Sequence, residues 1–133
     1  MKRTRLLRLA LVGNALFSAV SGGILMFAPG LVTEALGWTG PELWPLIGAG
    51  LWVFAADLLW QACRPQPVPW RALASSIGDG SWALATIVLG LTYPALMNTS
   101  GWVLATTVAV VVALFGFLQL KGLNRLDRIG ADG

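Results

Sequence analysis

Four long apolar stretches, separated by short polar or proline-rich breaks, run through the chain at positions 6–28, 43–62, 71–92 and 101–121. Each approaches or exceeds the roughly 20 residues that a helix needs to cross a bilayer. The breaks are equally legible. Pro29-Gly30 ends the first stretch, Pro65, Pro67 and Pro69 stiffen the link after the second, and Tyr93-Pro94 closes the third. The pattern predicts an all-α protein, a four-helix transmembrane bundle forming one domain over 1–133. Positions 29–37 predict a short amphipathic helix lying at the interface after the first span. Pro29 or Gly30 starts it, Leu31, Val32, Ala35 and Leu36 supply its apolar side, Glu34 turns to water and Gly37 caps it. Trp38 and Trp44 mark one membrane interface, Trp60 and Trp70 the other.

Polar positions inside these stretches are few, so each one needs a reason. The third span carries Ser75-Ser76-Ile77-Gly78-Asp79-Gly80-Ser81-Trp82. An Asp at the centre of a spanning helix costs about 2.5–3.5 kcal/mol on an insertion scale, and each Leu, Ile, Phe or Val returns roughly 0.3–0.6. The large aliphatics between Leu73 and Leu91 offset about 2–4 kcal/mol, enough for Asp79 and nothing more. This span therefore depends on neighbours that satisfy its polar groups. In the first span Asn14, Ser18 and Ser21 recur at helical spacing, and the second holds Asp57. Counting from the flanking arginines at about 1.5 Å per residue puts Asn14, Asp57 and Asp79 about 9, 10.5 and 12 Å deep. One layer is expected: a hydrogen-bonded Asn14–Asp57–Asp79 cluster extended by Ser75, Ser18 and Trp82. Two carboxyls so placed share a proton, or one stays neutral. The fourth span, with no strongly polar side chain from 108 to 118, is expected to contribute nothing.

Charge sets the expected orientation. Lys and Arg occur only at the N-terminus (Lys2, Arg3, Arg5, Arg8), around the second link (Arg64, Arg71) and at the C-terminus (Lys121, Arg125, Arg128). With four spans these segments share one side, and the positive-inside rule makes it cytoplasmic, so both termini are expected inside, in a cell inner membrane. The net charge of +3 is thus spent on topology and does not imply nucleic acid. Residues 19–21 fit a signal-cleavage site, but apolar character continues past a normal leader core and favours an uncleaved span. Cys63 is the lone cysteine and histidine is absent, which argues against a cofactor or metal centre.

No motif names a reaction. Intramembrane aspartyl proteases pair an Asp with Gly-x-Gly-Asp on another span; here the run is Ser76-Ile77-Gly78-Asp79, and Ala56 rather than tyrosine precedes Asp57. Small multidrug transporters share the four short spans but carry their acid in the first, where Asn14 stands. Over nearly its whole length, through Asn14, Phe17, Pro29, Gly37, Asp57, Asp79, Trp82 and Gln119, the chain resembles small four-span bacterial membrane proteins, including the DoxX-like group. That resemblance implies architecture rather than chemistry. The expected function is non-enzymatic: an integral membrane protein embedded in the lipid bilayer, an accessory or partner-binding subunit, with a membrane-protein partner or homo-oligomer. The alternative is a proton-coupled transporter of a small substrate using Asp79 and Asp57.

Overall fold

The computed structural model describes the backbone of residues 2–132 and the side chains of residues 5–124. It contains α1 (Lys2–Phe27), α2 (Pro29–Leu36), α3 (Trp44–Cys63), α4 (Pro69–Thr92), a 3₁₀ turn (Pro94–Leu96) and α5 (Thr99–Asp132). No strand occurs among the described residues. Stretches of 23, 20, 24 and 26 residues in α1, α3, α4 and α5 are long and apolar enough to cross a membrane. At about 1.5 Å per residue they measure roughly 30–39 Å, against a hydrocarbon thickness of about 30 Å. This is the architecture of a multi-pass integral membrane protein.

The burial pattern follows the solvent that such a protein meets. Leu9, Leu16, Val20, Ile77, Leu84 and Phe117 are exposed, while Asn14, Ser18, Gln61, Ser75, Ser76, Asp79 and Gln119 are buried. Lipid accepts apolar side chains at no cost and cannot hydrogen-bond polar ones, so the polar minority turns inward. Hydroxyls left near the surface close on their own helix. Thr86, Thr92 and Thr107 each donate to the carbonyl four residues back.

The helices stand as a four-sided bundle in the order α1, α3, α4, α5. Three sides are closed. α1 packs along α3 and α5, and α4 along α5. Small residues allow the closest approaches: a Cβ on Gly48 would lie 2.6 Å from the Gly22 carbonyl oxygen, so α1 and α3 touch through their backbones there. Trp52 locks the same seam by donating its indole N–H to the Ala19 carbonyl at 3.0 Å. The fourth side, α3 against α4, meets only over a short segment near the end that carries Arg8, Arg64 and Arg71. A packed apolar cluster (Leu7, Leu11, Ala15, Leu58, Ala62, Ala72 and Leu123) fills that basic end. Toward the far end packing thins, and from Gly80 to Thr92 no residue of α4 is buried.

The far end is clasped by its links. Gly37 ends α2 in the left-handed conformation, φ 62°, as its place in the sequence predicts. Asn98 N–H donates to the Leu36 carbonyl at 3.2 Å, and its side-chain oxygen receives the Gly101 N–H at 2.7 Å at the start of α5. The Trp44 indole donates to Thr33 Oγ1 at 2.9 Å, tying α2 to the first turn of α3.

Candidate functional site

Two polar networks occupy the interior, and each is built around one aspartate. The first crosses the bundle diagonally. Asn14, 1% exposed on α1, donates from Nδ2 to Asp79 Oδ2 at 2.8 Å, and Asp79 on α4 is itself 3% exposed. Ser18 Oγ, one turn along α1, donates to Asn14 Oδ1 at 3.4 Å. From α5, Gln119 Nε2 donates to the same Asp79 Oδ2 at 3.2 Å. Gly116 makes room for this meeting. A Cβ there would stand 3.1 Å from Asp79 Cβ and 3.5 Å from the Ser76 carbonyl, so a larger residue would push α5 off α4.

The second network lies one helical turn nearer the basic end and bridges α3 to α4 over that short segment. Asp57 Oδ1 forms an ion pair with Arg71, both side chains about a third exposed or less. Asp57 Oδ2 accepts from Gln61 Nε2 at 2.7 Å, and the same nitrogen approaches Ser75 Oγ at 3.1 Å. Ser75 Oγ donates to the Arg71 carbonyl at 2.9 Å. The Arg71 guanidinium also stands over the Trp60 ring, 4.2 Å from its centroid, with Arg64 4.6 Å from the same ring. Arg8 reaches from α1 to the Arg64 and Pro65 carbonyls, at 2.9 Å each. Near the level of Asp79, the α3–α4 seam is reduced to Phe54 facing Gly78.

The expected single cluster thus divides, and four expectations need correction. Asn14, Ser18 and Asp79 lie together, but Asp57 is not their partner: Arg71 holds it from across the short α3–α4 link. Arg71 served in the depth count as a marker of the membrane boundary, whereas its side chain is engaged by the acid itself. Ser75 accordingly belongs with Asp57 and Gln61. Trp82 joins neither network. It is 38% exposed and faces outward, consistent with an indole's tolerance of lipid. The fourth span is not silent either, because Gln119 supplies the second amide on Asp79.

Gln119 sits only two residues before Lys121 and so reads from the sequence as interfacial. Helix α5 runs on beyond that lysine, and the close fit of Gly116 on Asp79 brings Gln119 within a turn of the carboxyl. Gln61 carried a signal, its i+4 spacing from Asp57. Ser76, part of the polar run in the third span, is buried beside Gly116, and its Oγ has no hydrogen-bond partner. Gln61 Oε1 and Gln119 Oε1 are likewise buried without a donor.

Among the described residues no three His, Cys, Asp or Glu side chains are grouped to hold a metal ion. Set against family models, curated proteins and solved structures, the chain matches none. The likeness to the DoxX-like group therefore rests on its own residues alone.

Proposed function

We propose that this protein is a partner-binding subunit of an inner membrane, working through its helices rather than through bond-making chemistry. The observation that carries this reading is the unfinished α3–α4 side. Phe54 and Gly78 close the seam near the level of Asp79, and beyond them α4 has only exposed or half-buried residues, Ser81 and Trp82 among them. A helix from another membrane protein would complete this side and cover the Ser81 hydroxyl, which lipid serves poorly, with Trp82 beside it for packing. Placing a photoreactive amino acid at position 82 in the native membrane tests it. A single stoichiometric adduct is expected; a protein that remains a lone monomer after crosslinking and mild extraction would count against the proposal.

The orientation proposed with it sets the basic end, and with it both termini, in the cytoplasm. Cys63 is exposed at that end and offers a direct probe. A membrane-impermeant thiol reagent should label it in inverted vesicles and spare it in right-side-out ones.

A second reading, a proton-coupled transporter, draws on one feature: an acid in the middle of the bundle with no cationic partner among the described residues. In this form it rests on Asp79 alone, since Asp57 is engaged with Arg71. Uptake driven by a pH gradient in proteoliposomes would then collapse in Asp79→Asn at normal folded yield, and unchanged uptake would end it.

A further inference from the structure

Both amides that reach Asp79 donate to one and the same oxygen, Oδ2. No side chain among the described residues donates to Oδ1. On the other side of the contact, Gln119 uses its Nε2 and leaves Oε1 buried without a donor, in a residue that is 0% exposed. These two loose ends belong to groups already joined by one hydrogen bond. A primary amide presents N–H and C=O side by side, and a carboxyl group presents two oxygens at a matching spacing. A carboxylate is acceptor-only and can satisfy Nε2 but never Oε1; a neutral acid adds the single O–H that Oε1 lacks.

We propose that Asp79 and Gln119 form a proton-binding site within the bundle, in which one proton resides on Asp79 Oδ1 and is donated to Gln119 Oε1. The acid and the amide then close an eight-membered ring, Nε2–H to Oδ2 and Oδ1–H to Oε1, while Asn14 holds Oδ2 from the opposite helix. The surroundings ask for this. The groups that face Asp79 are Asn14 from α1 and Gly116 and Gln119 from α5, all uncharged. From α3 the acid is Asp57, and its charge is matched by Arg71. An ionised Asp79 would be a buried charge without a counter-charge, beside a carbonyl without a donor; one bound proton removes both penalties. The proton stays within a single pair, so a second carboxyl is not needed to share it.

Infrared difference spectroscopy on the full chain in lipid vesicles at neutral pH tests the site, comparing wild type with Asp79→Asn in water and in D₂O. The expected result is the carbonyl stretch of a hydrogen-bonded protonated carboxyl, shifted down in D₂O and absent from Asp79→Asn. In Gln119→Leu the same band should move up toward the position of an unbonded acid. Should Asp79→Asn fail to fold, ¹³C-aspartate labelling of the wild type reports the same band, and Gln119→Leu supplies the comparison. Carboxylate bands in place of the acid band would overturn the proposal. If those bands also responded to sodium, the oxygens would be a cation site instead. An acid band that Gln119→Leu leaves unmoved would place the proton elsewhere and overturn it equally.

Discussion

Asp57 and Asp79 are the same residue type on neighbouring spans, and the protein treats them in opposite ways. Asp57 lies where α3 and α4 meet at the basic end, half-buried, and meets a full positive charge on Arg71 with the Trp60 ring behind it. Asp79 lies one turn deeper, almost wholly buried, and meets only amides from two other helices. The first arrangement is a clasp between sequence neighbours across a short link. The second ties three helices through residues 65 and 40 positions apart in the chain. Depth decides between them. Near the interface a guanidinium can reach an acid and keep some hydration, whereas in the core a second ion would add its own desolvation cost. An Asp in a span is thus not one kind of feature, and its partner follows from its level and from the helix face it occupies.

The comparison implies that the Asp79 site is fixed by packing and the Asp57 site by charge, and substitutions can break either half. The largest effect is expected from Gly116→Leu, whose added side chain has nowhere to go between Asp79 and the Ser76 backbone; overpacking of this kind costs about 1–3 kcal/mol. Gly78→Leu is its control on the other seam, where the nearest atom to a new Cβ is Phe54 Cε2 at 3.9 Å. Unfolding titrations in mixed micelles should separate the two clearly, and equal losses would undo the contrast.

A smaller loss is expected from Asn14→Leu. Interhelical hydrogen bonds in membranes average about 0.6 kcal/mol and reach about 1.7. This one bridges the bundle and also serves Ser18, so about 1–2 kcal/mol is expected in the same titration. A cost near zero would mean that the diagonal contact holds nothing together.

The smallest effect belongs to Arg71→Gln. A partly exposed ion pair contributes about 1 kcal/mol or less, and salt screens it. Thermal midpoints of wild type and variant should therefore converge as salt is raised, while the gap between wild type and Asn14→Leu stays constant. A salt-dependent gap for Asn14→Leu, or none for Arg71→Gln, would reverse the assignment of charge to one site and packing to the other.

Much of this molecule follows from one-dimensional information, because the bilayer imposes a one-dimensional constraint. Length and apolarity specify the four spanning helices, the prolines and glycines between them specify the stops, and Gly37 specifies its left-handed cap. The common level of Asn14 and Asp79 also follows, since a helix rises by a constant amount per residue. Rotation about each axis does not. Whether Asp57 turns toward Asp79 or toward Arg71 depends on how α3 and α4 lean on α1 and α5, and that lean is decided by contacts such as Gly22 on Gly48 and Gly116 on Asp79. The same contacts bring Gln119 inward and leave Trp82 outside. Sequence alone determined which residues build the four long apolar helices and in what order they rise along each; only the packed helices decided who faces whom, because a partner is chosen by direction as well as by level.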